Sequence, residues 1–210
     1  MSAREDILGR IRTALQDNPD APPVPRLYRS TSGLDQAALI ELLEDRLIDY
    51  KAQVAVVDAA DVPAQIAELL ADARSYVVPA GFDTGWLTHL ELDRDSRRRT
   101  DSAATPLSVS ELDGIDAVVT GSAISVAETG TIILDGSPNQ GRRAISLIPD
   151  HHICIVKATD IAGILPEALR RIDGTRPLTM ISGPSATSDI ELERVEGVHG
   201  PRKLDVIIAR

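Results

Sequence analysis

Aromatic side chains are scarce in this sequence: one Trp, one Phe and three Tyr make up 2% of its 210 residues. Stacking of single-stranded bases on aromatic platforms is therefore poorly supplied, and the core has to be built from Val, Ile, Leu and Ala. Positive charge is also in deficit. The 22 Lys and Arg stand against 32 Asp and Glu, for a formal net charge of -10. A nucleic-acid binder neutralises phosphates with Lys and Arg, so this balance disfavours that class of partner. Cysteine occurs once, at Cys154. No intramolecular disulfide can form, and no protein-only iron–sulfur or four-cysteine zinc site can be built. The apolar run HICIVKA around Cys154 predicts an inert core residue rather than a nucleophile. Long apolar runs are missing too. The N-terminal MSAREDILGRIRTAL lacks the apolar core of a signal peptide, and no run approaches the length of a membrane span, so the expectation is a cytosolic protein.

What is present is ordinary for a globular chain: 43% hydrophobic and 26% charged residues. The length suits one medium domain, or one domain with an arm, and can bury roughly 70% of the unfolded surface without a disulfide or metal. Ile7, Leu8, Ile11 and Leu15 recur at helical spacing, and DNPDAPPVPR then forms a stiff linker. Residues 1–30 are thus read as a helical arm with a proline-rich linker, and 31–210 as the domain. A helix this short is marginal alone, so its apolar face is expected to be buried on the main domain or on another subunit.

Leu39, Leu43 and Leu47 mark a helix from Asp35 to Tyr50, followed by the strand QVAVVDA. Asp61 reads as the N-cap of VPAQIAELLADA, and SYVVPA is the next strand. Strand, helix and strand with short links predict an α/β domain with a parallel sheet. SAISVAE and TIILD, split by Thr129–Gly130, leave no room for a helix and read as a hairpin that brings antiparallel pairing. HICIVKA, LTMISG and LDVIIA are further strands, and Pro166 opens the short helix PEALRRI. The expected fold class is therefore α/β, with a mixed sheet.

Four stretches offer chemistry. In ISGPSATSD, a strand runs into Gly183, Ser185, Thr187 and Ser188, at the kind of strand end where α/β sheets bind ligands. Backbone N–H groups there favour an anion; equally, the hydroxyls serve to cap a turn. DIELERVEGVHGP adds Asp189, Glu191 and His199. His199 is a candidate acid–base group, or a turn histidine bonded to backbone, and no spacing resembles a metal motif. Glu128, Thr129 and Gly130 sit at the hairpin bend, where the carboxylate is either a general base or a solvated turn residue. In SPNQGRRAISLIPDHH, Arg142 or Arg143 is placed to clamp a carboxylate or phosphate, and one of His151 and His152 is expected to pack inward. Arg94, Arg97, Arg98 and Arg99 form a basic cluster, read as a solvated run flanked by Asp93, Asp95 and Asp101, or as an anion or partner contact. No phosphate loop, Rossmann fingerprint or Gly-x-Ser-x-Gly elbow is present.

Taken together, AETGTI, PDHHICIV and ISGPSATSDIELERVEGVHGP closely resemble the lactate-utilisation (LUD) domain family, from about Asp116 to the C-terminus. Residues 1–100 match only in general layout. The resemblance implies a three-layer α/β/α fold related to the NagB, ribose-phosphate isomerase and CoA-transferase group. It also implies a subunit that oxidises L-lactate to pyruvate together with iron–sulfur partner proteins. This chain would hold no cofactor, and the clusters would reside on the partners. The motif positions it supplies are Glu128 and His199 as candidate catalytic groups, with Thr129, Gly130, Gly183, Ser185, Thr187, Asp189 and Glu191 around a small carboxylate or phosphorylated ligand. Arg142 and Arg143 are added from the residues themselves. Two other readings stay open: a non-catalytic assembly subunit, and, by fold analogy alone, a stand-alone enzyme on a sugar-phosphate or acyl substrate.

Overall fold

The structure is a computed structural model and describes residues 2–16, 22–90, 96–187, 195–196 and 200–210. A Ser2–Glu5 capping box starts helix α1 (Ala3–Ala14), which buries none of its residues. Ile7, Ile11 and Leu15 stay about half exposed, so the arm does not dock on the main domain. Helix α2 (Gln36–Asp49) begins at Asp35, whose carboxylate accepts the Ala38 N–H. It fully buries Leu43 and Leu47, each of which contributes about 1.5–3 kcal/mol by leaving water. Helix α3 (Val62–Leu69) follows strand β1 (Gln53–Val57); Asp61 precedes it but makes no side-chain cap.

The main sheet joins β1, β2 (Tyr76–Pro79), β3 (Arg98–Asp101), β4 (Ala117–Gly121), β7 (His151–Lys157) and β12 (Lys203–Ala209). Its order is β1-β12-β7-β4-β2-β3, and every pair is parallel. Alternation along β7 shows why both faces are covered. Ile153 and Ile155 pack with Val62 and Ile66 of α3, and with Leu70 just after it, on one face. Cys154 and Val156 pack with Leu43 and Leu47 of α2 on the other. Helix α4 (Val109–Asp113) adds Leu112 to that second side, beside Val118 and Ile145. The domain is thus α/β with three layers, and the antiparallel pairing lies outside the main sheet. It belongs to a four-stranded sheet of β8 (Ile161–Ala162), β5 (Ile124–Val126), β6 (Thr131–Leu134) and β9 (Thr179–Ile181), in that order. There β5–β6 and β6–β9 are antiparallel and β5–β8 is parallel. This sheet packs Ile132, Leu134 and Ile161 beside α2. Helix α5 (Leu165–Leu169) carries Pro166 in its first turn. A two-residue pair, β10 (Ala186–Thr187) with β11 (Val195–Glu196), completes the described elements.

One core position is poorly satisfied. Ser125 Oγ on β5 is fully buried and has no hydrogen-bond partner among the described residues. A buried hydroxyl without a partner is destabilising. Ser125→Ala is therefore expected to raise unfolding stability by about 1 kcal/mol, read from the denaturation midpoint at unchanged slope. A loss of stability would show that the hydroxyl is paired in solution.

Candidate functional cleft

The loop after β6 builds the first wall of a cleft. Asp135 Oδ1 accepts the Ser137 N–H at 3.0 Å, and the Asp135 N–H donates to the buried Gln140 Oε1 at 2.7 Å. The loop folds onto the ends of two parallel strands: Pro138 lies against Gly81 after β2, and the Gly121 N–H of β4 donates to the Asn139 carbonyl at 3.0 Å. After β4 the chain passes to the α2 side of the sheet, and after β2 it passes to the α3 side, where Phe82 and Leu87 pack. Such a divergence leaves a crevice at the carboxyl ends of the strands. A cavity of about 580 Å³ opens there, lined by Pro79–Gly81, Asp101, Gln140 and the arginines 142, 143 and 176 among others.

Two of these arginines are already engaged. Arg142 grips the buried Asp101 in bidentate fashion, with Nε–Oδ2 and Nη2–Oδ1 both at 2.8 Å, and also donates to the Leu107 carbonyl. Arg176 Nη1 donates to Asp135 Oδ2 at 2.8 Å. The Arg143 side chain has no carboxylate partner among the described residues. It is exposed, and it lines both this cavity and a second one of about 570 Å³. Of the two arginines indicated by the sequence, Arg142 holds the wall together, and Arg143 faces the cleft without a carboxylate partner among the described residues.

The second lobe lies beside the serine-rich stretch. Tyr50, Ser146, His152, Ser182, Gly183 and Ser185 contribute to its lining. Gly183 has φ +103, and a Cβ there would sit 2.6 Å from the Tyr50 carbonyl oxygen, so only glycine lets the chain pass α2 at this point. Ser182 Oγ meets Thr131 Oγ1 at 2.9 Å, and Thr131 Oγ1 meets Thr129 Oγ1 at 2.8 Å. A chain of hydroxyls therefore connects the hairpin bend to the lobe. The other bend residues stand apart from it. Gly130 closes the bend in left-handed backbone (φ +59), pressed against Arg46. Glu128 is half exposed, ion-paired with Arg29 from the linker, and lines neither lobe. Thr187 belongs to β10, and Asp189, Glu191 and His199 lie outside the described residues.

His152 is the cleft residue that local reading left unassigned. It is 1% exposed, and its Nε2 bonds Thr120 Oγ1 of β4 at 2.8 Å. Burial, then the charge of His151, pushes its ring down to about 4, so it is neutral near pH 7. The only signal in the sequence was its place in a buried strand next to a second histidine. His151 points to the opposite face, where Nε2 lies 2.5 Å from Asp205 Oδ2. Burial raises the Asp205 carboxyl, but hydrogen bonds from His151 and Lys203 outweigh it and hold the group below its ordinary value. Cys154 is fully buried, and desolvation pushes its thiol up to about 12, which makes it the inert core residue expected. Among the described residues, no three His, Cys, Asp or Glu side chains converge as a metal site would require, and no helix is long and apolar enough to cross a membrane.

The basic cluster is not simply a solvated run. Arg97 Nη1 donates to the Leu70 and Ala73 carbonyls at the C-terminal end of α3, Arg98 and Arg99 lie in β3, and Asp101 is buried against Arg142. Arg94 lies outside the described residues.

By its fold the chain is a three-layer α/β domain with a two-lobed cleft at its strand ends, and Arg143, which lines both lobes, has no carboxylate partner among the described residues. The chain belongs to the LUD domain family, whose model matches residues 40–209. It is 46% identical to lactate utilization protein C of Deinococcus radiodurans, over 98% of this chain and 95% of that protein. Lactate utilization protein C of Shouchella clausii is 35% identical over 56% of this chain and 54% of its own length. Among solved structures, a DUF162 family protein from Deinococcus radiodurans superposes with a TM-score of 0.70 at 41% identity, covering 84% of this chain and 99% of that one.

Proposed function

We propose that the chain serves lactate utilisation as a subunit that helps oxidise L-lactate to pyruvate and contributes the pocket for the small anion. The observation that carries this reading is near full-length similarity to a protein named for lactate utilisation. The cleft supports it, because Arg143, unpaired among the described residues, offers a cation to a carboxylate or phosphorylated ligand. Side chains store no electrons, so the two electrons pass to partner proteins carrying iron–sulfur clusters. The lone, buried Cys154 suits that division of labour. Glu128 and His199 remain the proposed proton-handling groups, and Glu128 would have to leave its Arg29 pair to reach the cleft.

Deleting the gene in its host is expected to abolish growth on L-lactate, and the wild-type copy to restore it. Glu128→Gln and His199→Ala copies are expected to fail to restore growth while the purified variants keep wild-type melting temperatures. Undiminished growth of the deletion strain on lactate would refute the role. Growth of both variants would remove these two residues from the mechanism. The assembly-subunit reading has one observation in its favour: α1 and its C-cap present Ile7, Ile11 and Leu15 exposed, with no cover among the described residues. On that reading only partner proteins, and neither lactate nor pyruvate, raise the melting temperature.

A further inference from the structure

We propose that Arg143 and His152 form a two-point reader for an α-oxygenated carboxylate, with the guanidinium taking the carboxylate and the free ring nitrogen pairing the oxygen on the next carbon. This deepens the lactate reading and rests on it. Three observations converge. Arg143 and His152 line the same lobe, together with Ser146. Arg143 has no carboxylate partner among the described residues, whereas its neighbours Arg142 and Arg176 each hold a carboxylate. His152 is a polar side chain almost wholly buried, with Nε2 engaged by Thr120 and Nδ1 without a hydrogen-bond partner among the described residues.

Both anchors stand on rigid backbone. Arg143 opens the 3₁₀ turn Arg143–Ser146, which is held by Ile145 in the core and by the Arg142–Asp101 pair just before it. His152 is on β7, between β4 and β12 in the main sheet. Preorganised groups of this kind bind without first having to be ordered. The buried Ser146 hydroxyl donates to the Arg143 carbonyl at 3.1 Å and keeps its lone pairs for a ligand donor.

The Thr120 hydroxyl gives the imidazole a choice of tautomer. It lies 2.8 Å from His152 Nε2 and 3.9 Å from Cys154 Sγ. When it donates to Nε2, the ring proton is on Nδ1, which then donates to a ketone. When it turns to Cys154 Sγ, the ring donates from Nε2 to Thr120, and Nδ1 accepts from an alcohol. A neutral imidazole can therefore read the 2-hydroxyl of lactate and the 2-keto oxygen of pyruvate at one position. The change of tautomer moves only hydrogens.

The test measures binding of L-lactate, pyruvate and propionate to the full chain by calorimetry. Lactate and pyruvate are expected to bind about 10-fold tighter than propionate, which lacks the α-oxygen. Arg143→Met, at an exposed position, is expected to weaken all three by at least about 10-fold with the melting temperature unchanged. His152→Gln is expected to bring lactate and pyruvate down to the level of propionate. In nitrogen-15 spectra, pyruvate is expected to place the His152 proton on Nδ1 and lactate to place it on Nε2. Equal affinity for propionate, no binding of any of the three, or full binding by Arg143→Met would each overturn the proposal. If no ligand binds yet the deletion strain fails on lactate, the reader is refuted and the lactate role stands. If binding follows expectation yet the deletion strain grows, the role is refuted and the reader stands.

Discussion

Arg142→Ala is expected to destabilise the chain by about 3 kcal/mol, one of the two largest effects predicted here for a single substitution. The reason is the partner left behind. Asp101 is 3% exposed at the carboxyl end of β3, and it receives the Arg142 guanidinium as well as the Leu107 N–H. Removing the cation strands a carboxylate in a poorly hydrated position. An exposed pair would be worth a fraction of this, so burial of Asp101 decides which rule applies. Because the same pair holds the wall of the first lobe, the variant is expected to lose ligand binding as well. Asp101→Asn should be milder: the amide still accepts from the guanidinium, and the charge left over is on Arg142, which reaches water. Denaturant unfolding of both variants checks this. A loss below about 1 kcal/mol for Arg142→Ala would place the pair among ordinary surface contacts.

Stability is also expected to fall by about 3 kcal/mol between pH 6.5 and pH 4 because of His152. In the folded chain, burial and the neighbouring His151 push this ring down to about 4, against about 6.5 in an unfolded chain. The folded value is the lower one. The stabilisation is therefore complete above the unfolded value and is lost as pH falls towards the folded one, since the unfolded chain binds a proton that the folded chain refuses. Carboxylates held low by hydrogen bonds, such as Asp150 beside Arg202 and Glu167 beside the Ser32 N–H, lose their contribution at lower pH, below the ordinary carboxylate range. The upper part of the window thus separates the histidine from them. Urea midpoints from pH 7.5 to 4.5 measure the slope, and His152→Gln is expected to flatten it. An unchanged slope in that variant would show that the ring is accessible to protons in the folded chain.

Much of the scaffold was legible in the sequence. Runs such as QVAVV, HICIVK and LDVIIA are apolar on both faces because parallel strands under two layers are buried on both faces. The Leu39–Leu43–Leu47 spacing gave α2, and the left-handed backbone at Gly130 is what a glycine at a hairpin bend provides. Strand β3 was not legible. Its residues Arg98, Arg99, Thr100 and Asp101 carry no apolar alternation, because an edge strand with a half-exposed face does not require one. Tyrosine and valine of β2 supply the pairing instead.

The candidate site divides in the same way. Two segments that the sequence singled out, GPS after β9 and QGRR after β6, line the cleft. The sequence had no means of choosing between Arg142 and Arg143, because the chooser is Asp101, 41 residues away. Nor could it assign Glu128 a partner, since Arg29 lies 99 residues earlier in the chain.

By itself, the sequence determined what depends on neighbours along the chain: the α/β class, the element order, the hairpin at Thr129–Gly130, the acidic surface and the family. Composition, periodicity and turn chemistry act within a few residues, and the chain carries them wherever it goes. Only the tertiary structure decided which charges are consumed and which face the cleft. Arg142 is neutralised and, among the described residues, Arg143 is not, and His152 is turned to the cleft while His151 faces Asp205. Those outcomes depend on dielectric surroundings and on partners brought together by strand order, and both exist only once the sheet has formed.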